Sequence, residues 1–150
     1  MTGCTAGGIP PVTHLIPTGA PALPITQLEA EMDYVQALED IEWSDADTPG
    51  LGAEFAFTPD VITDDYTSAY RAKFARISAG GRSETHVDAH NHAFYIISGS
   101  GEVRIEDRLW QMRSGSVVKV PRGLPHSLEN TGSADLVFLA IFDPPQAPPV

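Results

Sequence analysis

The chain has 150 residues, 42% of them hydrophobic, which suits one ordinary soluble domain with an adequate core. No apolar run approaches the roughly 20 residues needed to cross a bilayer, and the first residues lack the basic head and apolar stretch of a secretory leader, so no membrane partner is expected. The net charge of −11 is unevenly placed, with twelve acids and no Lys or Arg in residues 1–70, then eight acids against nine bases in 71–150; this argues against a phosphate-tracking surface and hence against nucleic acid.

Residues 1–24 carry five prolines and little periodicity, which reads as an extended arm. Cys4, the only cysteine, permits no intrachain disulfide and agrees with a cytoplasmic location. From Thr26 the pattern changes: Thr26 to Glu29 has capping-box spacing, and Leu28, Met32, Val35, Leu38 and Ile41 recur every three or four residues. The spacing predicts one short helix over 27–41. Acids early in it suit the helix dipole, whereas Glu39 and Asp40 at its end do not. An acidic loop follows over 44–52.

Beyond it come short strands, expected at 54–57, 68–77, 83–88, 94–98, 101–106, 108–112, 116–120, 126–130 and 136–142. They are punctuated by Gly80-Gly81, Ser98 to Gly101, Ser114-Gly115, Pro121-Arg122-Gly123 and Thr131-Gly132. Regularly spaced short strands argue for an all-β sandwich or barrel. The division expected is an N-terminal arm and helix over 1–52 and a barrel over 53–150. Phe94, Tyr95, Trp110, Phe138 and Phe142 are expected to pack in the barrel. On the strand before residue 78, Arg71 and Lys73 share one face and Arg76 the other, as outward-facing partners of acids.

Four of the five histidines fall between residues 86 and 126. His86, Asp88 and His92 lie close together in one segment, and His126 lies well downstream. Imidazole nitrogens with a carboxylate oxygen are the donors used by Zn, Fe, Mn, Ni and Co. Side chains at even positions from 86 to 92 would share a face of a continuous strand.

The two segments, Gly81 to Gly99 and Gly115 to Asn130, resemble the paired motifs of the cupin superfamily. The second matches throughout: Gly115, Pro121-Arg122-Gly123, His126 and Asn130. The first matches in Gly81, His86 and the ending Tyr95-Ile96-Ile97-Ser98-Gly99. Inside it, histidine and carboxylate have exchanged places relative to the usual order of two histidines followed by a glutamate. The resemblance implies a cupin-type jelly-roll barrel, also called a double-stranded β-helix. It also implies one divalent metal ion, Fe favoured over Mn, Ni, Co or Zn, held by His86, Asp88, His92 and His126. Asp88 either binds the ion or orients a ligating imidazole from behind. His90 falls at the family's turn and, with Tyr95, is the candidate for moving protons.

Three functions are then in competition. The first is an Fe(II) dioxygenase acting on a small carbonyl or aromatic diol substrate. The second is a non-redox isomerase or lyase working through an enolate. The third is a small-ligand-binding module without turnover. Since small cupins commonly pair and the arm needs a surface to cover, a homodimer is expected.

Overall fold

Alternation of apolar and other residues decides which face of each strand turns inward. In β9 (Leu136–Asp143), Leu136, Phe138, Ala140 and Phe142 are buried, and the residues between them are not. In β4 (Asn91–Ser98) the buried set is His92, Phe94 and Ile96. In β3 (Arg71–Ile77) the odd positions Lys73, Ala75 and Ile77 share a face, and the last two join the core.

The computed structural model describes residues 33–46, 48–52 and 54–145. Within them, strands β1 (Ser44–Asp45), β2 (Phe55–Phe57), β3, β9, β4 and β7 (Val117–Val120) form one antiparallel sheet in the order β1-β2-β3-β9-β4-β7. Strands β6 (Arg108–Arg113), β5 (Ser100–Ile105) and β8 (His126–Glu129) form the second, in the order β6-β5-β8. Val103, Met112 and Leu128 of the smaller sheet join Phe94, Ile96, Phe138 and Ala140 of the larger in one hydrophobic cluster. Two antiparallel sheets closing on a shared core in this strand order make the jelly roll expected from the sequence.

The chain passes between the sheets at Gly99, where φ is +86° and a Cβ would collide with the carbonyl of Asp135. Only glycine meets both demands.

The arm over 1–24 lies outside the described residues, as do 27–32 of the expected helix. In the described remainder a single 3-10 turn, Leu38–Asp40, is all that forms. Tyr34 and Val35 are exposed, so this stretch has no apolar face to bury, and two acids at a helix end oppose its dipole. The expected acidic loop contains a paired strand: Ser44 and Asp45 lie opposite Phe57 and Ala56. Both are exposed, and their pairing is made by backbone alone, which a side-chain pattern does not report. The segment expected as a strand over 83–88 makes isolated bridges instead of a ladder, Arg82 to Glu129 and His86 to His126.

Candidate metal centre

The site grows from the pairing of residues 81–86 with β8. The amide of Ser83 donates to the Leu128 carbonyl at 2.9 Å, and the Leu128 amide donates to Ser83 Oγ at 3.0 Å. His86 and His126 exchange both backbone hydrogen bonds, at 3.0 and 2.9 Å. Their rings are thereby set with centroids 4.3 Å apart.

After His86 the chain bends through Ala89 and His90 before β4 begins. The Pro121-Arg122-Gly123 turn holds this bend. The Gly123 amide donates to the Asp88 carbonyl at 2.8 Å, and the Arg122 amide donates to Asn91 Oδ1 at 3.0 Å. Gly123 takes φ +83° to do so. His92, on the inner face of β4, is then carried in beside Phe94 and Phe142, whose rings meet it edge-on at 5.5 and 4.8 Å.

At the centre lies Asp88 Oδ2, which is 3.1 Å from His92 Nε2, 3.3 Å from His86 Nε2 and 3.4 Å from His126 Nε2. Nδ1 of His86 is 2.9 Å from the Glu84 carbonyl, and Nδ1 of His126 is 3.0 Å from the Leu124 carbonyl. A carbonyl only accepts, so each Nδ1 carries the proton and each Nε2 turns a lone pair toward the carboxylate. Backbone carbonyls already orient these two imidazoles from behind, and the carboxylate stands on their donor side.

His90, in the bend where the resemblance puts it, is half-buried beside His92. Its ring stacks on His92 at 4.6 Å and meets Phe142 edge-on at 5.4 Å. Two overlapping donor groups result: His86, Asp88 and His126, and Asp88, His90 and His92, the donor atoms of each lying within 4.8 Å of one another. Tyr95 is not brought there. It points out of β4 on the face opposite His92 and is 48% exposed, because side chains alternate along a strand. Trp110, likewise expected inside, shares a face with the buried Met112 and lies opposite Val103, yet it is 45% exposed because β6 is an edge strand.

The electrostatics follow from burial. His126 is 1% exposed, and loss of water pushes its pKa below the usual imidazole range. His92 is pushed down to about 4, mainly by burial, against the opposing pull of Asp88 and with further lowering by the neighbouring imidazoles. Both rings are therefore neutral near pH 7, the form in which imidazole binds metals.

Asp88 Oδ2 and the Nε2 atoms of His90, His92 and His126 are buried and have no hydrogen-bond partner. Each such orphan costs about 1–3 kcal/mol. Four facing one another is the pattern that a bound cation relieves, and nitrogen donors with one carboxylate suit a borderline divalent ion.

A cavity of about 230 Å3 opens from this cluster. Its other walls include Phe55, Phe57, Phe94, Leu128, Phe138 and Phe142, with Thr48, Pro49 and Leu51. Lys73 also lines it, which corrects the outward placement expected for that residue. Arg71 and Arg76 do pair with acids, Asp64 at 3.3 Å and Asp135 at 4.0 Å, although Arg71 shares the face of Lys73 and is largely covered. Period-two alternation puts Lys73 on the face of Ala75 and Ile77. That core pattern one or two turns of the pleat away was the available signal.

Comparison with known proteins agrees with the geometry. The family model described as Cupin domain matches residues 73–142. An uncharacterised protein of Streptomyces coelicolor is 30% identical over 71 residues, covering 47% of this chain and 67% of the relative. One from Methanocaldococcus jannaschii is 29% identical over 52 residues, covering 35% of this chain and only 42% of the relative.

Among solved structures, the polyketide cyclase RemF of Streptomyces resistomycificus superposes with a TM-score of 0.66 at 21% identity, covering 77% of this chain and 81% of that one. A Thermotoga maritima protein described as a predicted oxalate decarboxylase gives 0.64 at 22%, covering 73% and 97%. KdgF from Halomonas sp. gives 0.61 at 19%, covering 73% and 92%. A β jelly roll whose inner end gathers histidines and a carboxylate defines a cupin-like barrel. The chain belongs to the cupin superfamily.

Proposed function

We propose that the protein is a metal-dependent enzyme, with one divalent ion held by His86, Asp88, His92 and His126 and a small substrate in the adjoining cavity. One observation carries the reading: Asp88 Oδ2 and the Nε2 atoms of His92 and His126, all buried and without a hydrogen-bond partner, lie together in the wall of a largely apolar cavity. When bound, Fe(II) would bring O2 and a carbonyl or aromatic diol substrate together in one coordination shell and stabilise the charge that develops, the electrons for inserting both oxygen atoms coming from the carbon–carbon bond cleaved in the substrate.

The chain's own residues do the rest. Carbonyls of Glu84 and Leu124 hold two imidazoles in the donating tautomer. The phenylalanine walls give an apolar surface for a flat molecule to lie against, so that positioning would supply much of the rate. Apolar walls also favour O2 over water.

A second reading, a non-redox isomerase or lyase, is favoured by His90. Its buried Nε2 has no partner and its ring stacks on His92; this reading gives it the task of taking a proton from a carbon next to a carbonyl. A polyketide cyclase and a predicted oxalate decarboxylase share this fold; the fold alone does not choose among reactions.

The deciding experiment is metal analysis of protein made without added metal, followed by anaerobic Fe(II) loading and oxygen-uptake assays against carbonyl and catechol panels. Oxygen uptake that depends on Fe and substrate supports the first reading. Turnover without oxygen, lost in His90→Ala, supports the second. Absence of any bound metal overturns both.

A further inference from the structure

Lys73 has no role in the centre just described, yet β3 turns it into the same cavity. Among the described residues it forms no hydrogen bond and no ion pair. Its ammonium lies instead over two aromatic faces, 4.6 Å from the Phe57 ring centre and 5.2 Å from that of Phe142. Asp88 is the one carboxylate among the described residues of the cavity wall, and its Oδ2 is surrounded by imidazoles.

Taking an ammonium out of water without a paired anion is costly. A Leu or Met at this position would pack with Phe57 and Phe142 without that cost. Burial lowers the Lys73 pKa while Asp60, at longer range, opposes the shift; the group is short of negative charge. Its position relative to the histidines is also defined. The Phe142 ring touches the ammonium and meets the His92 ring at 4.8 Å. A flat molecule lying along Phe142 would therefore reach from one to the other. At about 230 Å3 the space is smaller than the roughly 300–1,000 Å3 of sites for drug-sized ligands.

We propose that the ligand of this cavity is a small, largely apolar organic acid whose carboxylate is held by Lys73, with its other end turned toward the histidine cluster. The proposal rests on the cavity being the substrate site and narrows the substrate class. The alternative is that the Lys73 stem only fills space while its head reaches for water.

The test compares benzoate with benzamide, and cinnamate with cinnamamide, by isothermal titration of metal-free and Zn-loaded protein, with metal content measured on the same samples. At least one acid is expected to bind about tenfold or more tighter than its amide, a difference of about 1.4 kcal/mol, with or without metal. Lys73→Met keeps the length of the stem and should remove that preference while leaving amide binding and metal content unchanged. Lys73→Arg should restore part of it.

Lys73 and Lys119 are the only lysines, so acylation read by mass spectrometry gives a second measure. The acid, not the amide, should protect Lys73 and leave Lys119 unaffected. Equal binding of acid and amide, no binding by any acid, or a preference that survives in Lys73→Met overturns the proposal. Loss of metal binding with the acid preference intact would overturn the metal reading alone.

Discussion

Two segments build the donor cluster, and they divide the work unequally. Residues 86–92 contribute His86, Asp88, His90 and His92 from one bridge, a bend and the start of β4. Residues 117–130 contribute only His126, from a regular strand, but also supply the turn that pins the first segment through Gly123 and Arg122. Asn130 closes the second segment. It is fully buried, donating to the carbonyls of Ile77 and Ala134 at 2.8 Å each and accepting from the Gly132 amide at 2.9 Å. Most donors thus sit on backbone that cannot hold itself, and most of the holding is done by a segment with one donor.

That division can be broken from either side. The largest effect is expected from the donors: His126→Ala, His92→Ala and Asp88→Ala should each abolish stoichiometric metal binding, as read by elemental analysis after desalting. Asp88→Ala should be as severe as the histidine variants, because its Oδ2 meets three Nε2 atoms. Retention of metal by Asp88→Ala would return the aspartate to a supporting role. His90→Ala should cost less, since three imidazoles and the carboxylate remain.

Asn130→Ala should act on the fold instead. It strips partners from the buried Ile77 carbonyl and from the partly buried Ala134 carbonyl and Gly132 amide, and should destabilise by about 1–3 kcal/mol in denaturant titration, with metal stoichiometry retained in the folded fraction. Asn91→Ala should weaken metal binding by about tenfold through loss of its hold on Arg122, the scale of effect seen when a supporting partner is removed. The fold should survive, since no buried carbonyl is orphaned.

The unequal division also explains what could be read from sequence. The second segment's spacing specifies turn and strand together, and His126 opens β8 where a strand was expected. Strand limits were legible to within a few residues wherever the chain alternates, as in β9 and β4. The first segment was harder. Its bend brings His90 onto His92 and leaves Asp88 central, an outcome set by hydrogen bonds from residues more than thirty positions away. Tyr95 was misjudged because aromatic character was weighed above strand parity. Lys73 was misjudged because charge was, and parity with Ala75 and Ile77 already pointed inward. Backbone-only pairing, as in β1, leaves no side-chain pattern at all.

A smaller effect is expected from pH on the metal-free protein. His92 takes up its proton near pH 4 in the folded chain but near 6.5 when unfolded. Between those values the unfolded state binds more protons, so stability should fall as pH drops from about 6.5 toward about 4 and then level off with respect to this group. A pH series of thermal melts checks the sign, and His92→Gln should flatten that slope. The smallest effect is expected from Tyr95→Phe, which should leave metal content unchanged because the phenol faces outward. Pairing of two copies remains a proposal, and light scattering at micromolar concentration that shows a monomer would reject it.

The most direct test is a Co(II) titration of metal-stripped protein, followed by visible absorption and calorimetry, with wild type beside His86→Ala, His92→Ala and His126→Ala. One equivalent should bind to the wild type with ligand-field bands characteristic of nitrogen and oxygen donors, and the three variants should show neither bands nor stoichiometric binding. No uptake by the wild type, or one equivalent bound with an unchanged spectrum in all three variants, would contradict a metal centre at the end of this barrel.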